Sequence, residues 1–241
     1  MSSFAVLFAG ELQRMVRYSI IGASLLVAVL WIAVLHFSEV QDVGIILPLL
    51  LFVDAVSMAI LLIGVTIFFE KQEGTLKTLL VSPVDKSEYI LAKTCANISS
   101  NIMTLVILYG YAVLFRQIHL SFVALLGAVV LIAFFHSLIG FYLSYYAAGF
   151  TDLLMGMFKY LLVLMLPVLF EGIGLITNEI LTKLMYLLPT KSAHILLYAS
   201  SGEIELWEIV FSAAYLIVAS AVLLTVVLRR FDEFAARESG V

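Results

Sequence analysis

Between two long apolar runs the chain reads FFEKQEGTLKTLLVSPVDKSEYILAK, Phe68 to Lys93. The stretch carries Glu70, Lys71, Glu73, Lys77, Asp85, Lys86, Glu88 and Lys93, punctuated by Gly74 and Pro83, in a chain that is 63% apolar and only 12% charged. Soluble domains hold about 45–50% apolar and about 25% charged residues. A mean hydropathy of +1.15 therefore places this chain in a bilayer, and makes the charged stretch a connection between two membrane spans.

Outward from that stretch, charge-poor runs long enough to cross a hydrocarbon core, about 20 residues each, occur at 18–37, 44–69, 94–115, 120–148, 153–176 and 207–228. A β-barrel needs segments of about ten residues that alternate apolar and polar. LLVAVLWIAVL and ALLGAVVLIAFF are apolar on every side, so the fold class is all-α with six transmembrane helices. The first run follows Arg14 and Arg17 and exceeds the roughly 7–15 apolar residues of a signal-peptide core, so it is expected to stay as a span. No internal period of 20–50 residues is visible, and a single membrane domain, 1–241, fits best.

Of the 13 Lys and Arg residues, an inside N-terminus places Arg14, Arg17, Lys71, Lys77, Lys86, Lys93, Lys159, Arg229, Arg230 and Arg237 on the cytoplasmic side. Arg116, Lys183 and Lys191 are left outside. Basic residues gather on the cytoplasmic side of membrane helices, so both termini are expected there. The charges are spread along the membrane flanks and the net charge is −4, a pattern that gives no hint of nucleic-acid binding. Cys95 is the single cysteine, which excludes an internal disulfide and a thiolate metal site.

Before the first span, Phe4, Leu7, Phe8, Leu12, Met15 and Val16 share one helical face while Gly10, Gln13, Arg14 and Arg17 share another. That pattern predicts an interfacial helix over 1–17, either lying in the membrane surface or continuing into span one as a bent helix. Between spans five and six, residues 177–206 are apolar but interrupted by Lys183, Pro189 and Lys191, too soon for a crossing. Short helices dipping into the outer leaflet, a re-entrant segment, are expected there.

In the opening stretch Gly74 can adopt backbone angles closed to other residues. Ser82-Pro83-Val84-Asp85 has the form of a helix start, with a serine cap, proline in the first turn and an acid at the third position. A solvated connector with ordinary caps would show the same features. Beyond them, the run EKQEGTLKTLLVSPVDKSEYILAK resembles the signature of membrane subunits of type-2 ATP-binding-cassette (ABC) exporters. Glu73, Gly74, Thr75, Leu76, Leu79, Leu80, Pro83 and Lys93 match that pattern, and the helix count, the N-terminal helix and the short outer helices agree with it. Within that family the chain is similar to small drug-exporter permeases, including those associated with fluoroquinolone or anthracycline efflux.

The resemblance implies that 70–92 is a cytoplasmic coupling loop, with Glu70, Glu73, Gly74, Thr75, Leu76, Leu79, Leu80 and Pro83 in the 70–83 part docking on a separate ABC ATPase subunit. ATP and Mg would be bound by that partner, with no cofactor or metal on this chain, which carries no G-x-x-x-x-G-K-[ST] loop. It further implies a second membrane subunit, identical or homologous, a prokaryotic plasma membrane, and outward movement of an amphiphilic small molecule.

Two rival readings are weighed against this one. An intramembrane enzyme lacks support, since no H-E-x-x-H or G-x-S-x-G occurs and His36, His119, His136 and His194 are scattered, which favours packing roles for them. An ion-coupled carrier or channel would use Asp54 and Glu171 as coupling carboxylates. In span three Thr94, Asn97, Ser100, Asn101 and Thr104 recur at three- and four-residue steps and form one polar stripe. With Asp54 inside the run 44–69, a charge at that depth costs about 2.5–3.5 kcal/mol on insertion scales. Asp54, Asn97, Asn101 and Thr104 are therefore candidates either for a translocation path or for packing between helices. Ser137, Gly140, Ser144 and Ala148 predict close helix contact, and Tyr142, Tyr145 and Tyr146 predict an interfacial belt.

Overall fold

The computed structural model describes residues 3–37, 43–75, 84–116 and 118–239. Helices follow in the order α1 Ser3–Arg17, α2 Ile20–Phe37, α3 Val43–Glu73, α4 Lys86–Arg116, α5 Phe122–Tyr146, α6 Phe150–Tyr160, α7 Leu166–Gly172, α8 Glu179–Met185, α9 Pro189–Tyr198 and α10 Leu206–Ser239. Among the described residues there is no strand. A π-helical turn, Leu161–Met165, joins α6 to α7, so that α2, α3, α4, α5, α6–α7 and α10 make six helices long and apolar enough to cross a membrane.

Spans two and three are longer than their charge-poor runs. Backbone hydrogen bonding is indifferent to side-chain charge, so α3 continues through Glu70 to Glu73 and α4 already begins at Lys86. The segment 70–92 is thus helical at both ends. Gly74 terminates α3 at φ 68° with its amide on Lys71 O at 3.2 Å, the left-handed cap that glycine permits. The start of α4 corrects the expected serine cap. Asp85 occupies that place, its carboxylate accepting the Ser87 amide at 2.7 Å, and Ser82 and Pro83 lie outside the described residues.

α1 and α2 are separate helices joined at Tyr18–Ser19, where Ser19 has φ 57°. Phe8, Leu12 and Met15 of α1 pack on Ile20, Leu62 and Ala96, which seats the helix on spans one, two and three. Val16, expected on the same face, is exposed.

α3 is the central helix, with 61% of its most apolar window buried against 22% for α2 and 17% each for α6–α7 and α10. Those three therefore turn most of their surface outward. The closest approach is between α3 and α5: a Cβ on Gly140 would stand 2.8 Å from Ile60 O and 3.0 Å from Ile63 Cβ, so only glycine fits. Tyr142 and Tyr146 are exposed as an interfacial belt requires, but Tyr145 is buried and stacks on Phe234 at 4.4 Å. It belongs to the core at the end of the bundle where α3 and α4 are connected, with Phe141, Tyr89 and Phe231. On the opposite side α8 and α9 fill the 177–206 segment, and α9 packs against α3, α5 and α10. The π turn lies just before Pro167, which has no amide hydrogen, and there Leu164 O accepts a hydrogen bond from the Thr190 hydroxyl of α9.

Candidate functional site

At the foot of the connection between α3 and α4 four charged side chains from three helices meet. Glu70 lies in the last turn of α3, Lys93 two turns into α4, and Glu11 and Arg14 one turn apart on α1. Lys93 Nζ donates to Glu11 Oε2 at 2.8 Å and to Glu70 Oε1 at 2.9 Å. Arg14 donates to Glu11 at 3.1 Å and also to Glu70. The Tyr89 hydroxyl donates to the second Glu70 oxygen at 2.5 Å. Glu70 and Lys93 are each 2% exposed.

Two cations balance two anions, which is what makes their burial tolerable, because a lone buried ion costs several kcal/mol. Glu11 and Arg14 were not foreseen as members of this cluster. The available signal was a carboxylate at position 11 on the apolar stripe, between Phe8 and Met15, where an unpaired charge has no place.

The other expected coupling residues fall into two groups. Glu73 hydrogen-bonds the Tyr18 hydroxyl at the α1–α2 turn; desolvation first, and that carboxylate second, hold the Tyr18 phenol above its ordinary range. The Thr75 hydroxyl donates to Glu70 O at 3.3 Å, and Gly74 caps α3 as described. Leu76, Leu79, Leu80 and Pro83 lie outside the described residues.

The far foot is tied as well. Ser3 donates to Glu88 at 2.6 Å and Lys86 to Asp232 at 2.6 Å, linking the first turn of α4 to α1 and to α10. The Ser87 hydroxyl and amide, which both hydrogen-bond Asp85, hold its exposed carboxyl below the usual carboxylate range. The connection is thus tied at its two feet to α1, α3, α4 and α10.

The candidate path residues Asp54, Asn97, Asn101 and Thr104 are all brought inside the helix bundle of one chain, each at 3% exposure or less. Asp54 accepts from Trp31 Nε1 at 2.9 Å. Asn97 donates to Ala59 O at 2.9 Å and to Ser137 Oγ at 2.8 Å. Asn101 and Thr104 return to carbonyls one turn back on α4, Asn97 O and Ser100 O. Glu171, the second carboxylate of the carrier reading, is paired through both oxygens with Lys191 at 2.7 Å. His136 is fully buried and edge-on to Tyr160. Among the described residues no three His, Cys, Asp or Glu side chains cluster as a metal site would need.

Comparison with known proteins agrees with this architecture. Residues 3–239 match the model of the fluoroquinolones export permease protein family. Two curated proteins of Mycobacterium tuberculosis, one from strain CDC 1551 / Oshkosh and one from strain ATCC 25618 / H37Rv, are each 27% identical over 233 residues, which cover 96% of this chain and 95% of theirs. Both are named fluoroquinolones export permease protein.

Proposed function

The chain belongs to the fluoroquinolones export permease protein family, a family of ABC-2 type permeases, and on that premise we propose that it is the membrane subunit of an ATP-driven exporter. It moves an amphiphilic, drug-like or lipid-like molecule out of the cell. Hydrolysis takes place on a separate ATPase subunit that docks on 70–83, and a second membrane subunit completes the pathway. Both termini are cytoplasmic in this reading.

The observation that carries it is the buried cluster of Glu11, Arg14, Glu70 and Lys93 directly beneath the connection. A loop that only linked two spans would need no such anchorage. Closure of an ATPase pair against the loop would load Glu70, and the ion pairs would carry that load into α1 and α4, with the Tyr18–Ser19 turn as the pivot between α1 and α2. Asp54, Asn97, Asn101 and Thr104 serve this reading as the polar seam along which α3, α4 and α5 shift. The carrier alternative is disfavoured because Asp54 and Glu171 both have protein partners.

The test is the double variant Leu76→Asp, Leu79→Asp, co-expressed with the ATPase subunit. Loss of apolar contact and burial of two carboxylates should remove about 3 kcal/mol or more from the contact. The permease should insert while co-purification or drug-stimulated hydrolysis fails. Normal transport by this variant would reduce the loop to a connector.

A further inference from the structure

Span five has the length of one helix but is fastened as two. α6 packs against α3 and α5: Phe150 lies on Phe68 with ring centroids 5.3 Å apart, and Leu153 fills the space where a Cβ on Gly64 would stand. α7 packs instead against α8 and α9. It is held there by the Thr190 hydroxyl on Leu164 O and by the Glu171–Lys191 ion pair at 2.7 Å. Two halves bound to different neighbours can shift relative to one another at the joint between them.

That joint is the π turn Leu161–Met165. The Leu166 amide donates to Leu161 O, five residues back, and Pro167 has no amide to return to Val163 O. The turn therefore lacks the ladder of four-residue hydrogen bonds that stiffens a helix, and π turns and prolines are where helices bend. Leu162 and Val163 face outward from the bundle, which does little to brace them.

Beside the joint stand two buried polar atoms with complementary needs. His136 Nδ1 hydrogen-bonds Ile132 O at 2.8 Å. A carbonyl only accepts, so the hydrogen is on Nδ1 and the neutral ring presents a lone pair at Nε2. Tyr160, the last residue of α6, meets that ring edge-on with centroids 5.8 Å apart. Neither Nε2 nor the Tyr160 hydroxyl has a hydrogen-bond partner among the described residues. A donor and an acceptor left unmet in the interior are unfavourable, and one bond between them would satisfy both.

We propose that the π turn is a hinge dividing span five, and that Tyr160 and His136 are the positioning residues of its second state, in which the Tyr160 hydroxyl donates to His136 Nε2. In the present structure the pair is open. The hinge stands on geometry, whereas its use in a transport cycle rests on the exporter reading above.

Electron-resonance distance measurements on the full-length permease test the hinge. Spin labels at Met155→Cys and Ile173→Cys, in a Cys95→Ser background, flank the turn at a spacing of 18 residues, about 27 Å at about 1.5 Å per residue. The control pair Trp207→Cys and Thr225→Cys has the same spacing on the uninterrupted α10. The span-five distribution should be bimodal or clearly wider than that of α10. Deletion of Val163, which takes out the extra residue of the π turn, should narrow it to the control width. Equal widths with Val163 in place overturn the hinge, whether or not the deletion variant folds.

Side-chain nitrogen NMR of the same permease tests the pair. His136 Nε2 should show two environments, of which the hydrogen-bonded one is absent in Tyr160→Phe; a single environment common to both proteins overturns the pair. With the ATPase present and a fluoroquinolone as probe, Tyr160→Phe should lower stimulated hydrolysis about three- to tenfold, the population change that one neutral hydrogen bond supports. The Tm of the permease should not fall in this variant, because it loses an unmet hydroxyl. Unchanged stimulation overturns the part of the hinge in the cycle. A wild type without any stimulation faults the exporter reading instead, and the distance and nitrogen measurements still decide the hinge and the pair.

Discussion

Lys93 Nζ lies 2.9 Å from Glu70 Oε1, although 23 residues and the whole connection between α3 and α4 separate them in the chain. The pair closes the connection at its base, and Glu11 and Arg14 of α1 complete the charge balance.

Breaking that balance should be costly, whereas deleting it in pairs should be less so. Glu70→Ala leaves Arg14 and Lys93 with one carboxylate between them, and such losses cost about 3–5 kcal/mol. Thermal denaturation in detergent should show a fall of several degrees, and Glu70→Leu combined with Lys93→Leu should lose less than the sum of the single changes. Strict additivity would mean that the two side chains do not act as one unit.

Topology follows from the distribution of basic residues. With single cysteines introduced by Lys86→Cys or Glu203→Cys in a Cys95→Ser background, an impermeant thiol reagent added to intact cells should label only the Glu203 site. Labelling at position 86 instead would invert the orientation and remove the connection from the reach of a cytoplasmic ATPase.

Asp54 and Trp31 make a second pair that separates shape from charge. Asp54→Asn retains an acceptor for the Trp31 indole N–H and should fold with a Tm within a few degrees of wild type. Asp54→Leu leaves the indole unsatisfied, a loss of about 1–3 kcal/mol. If hydrolysis stimulated by cationic compounds falls more in Asp54→Asn than stimulation by neutral ones, the carboxylate faces the substrate path; equal responses assign it to packing.

At the end of the bundle opposite the ion cluster His194 is stacked on Tyr198 at 4.3 Å and edge-on to Phe52. Burial first, and the neighbouring Lys191 ammonium second, push its imidazole down to about 4. The unfolded chain takes up a proton near pH 6.5 and the folded chain only near 4. The stabilisation is therefore complete above pH 6.5 and is lost progressively as pH falls toward 4. Tm measured between pH 8 and 5 should decline more in the wild type than in His194→Phe; parallel curves would show that His194 does not titrate this way.

Six spans and their all-helical character were legible from residue order, because a membrane helix satisfies its own backbone and needs only length and apolar side chains to be recognised. Gly74 was legible for the same local reason, since a left-handed cap is a property of one residue. The position of the α4 start was not: Ser82-Pro83 and Asp85 are both acceptable caps by sequence, and the Ser87 amide lies with Asp85. Tyr145 looked equivalent to Tyr142 and Tyr146 until α10 brought Phe234 against it. The ion cluster shows the limit most plainly. Glu11, Glu70 and Lys93 carry no mark of one another in sequence, and a carboxylate finds its ammonium only after α1 is seated on α3 and α4 by Phe8, Leu12 and Met15. Apolar packing chooses the neighbours, and the charges then have to match across it. Local composition determined which segments enter the bilayer, and tertiary contact alone decided which of the buried polar groups are satisfied and by whom.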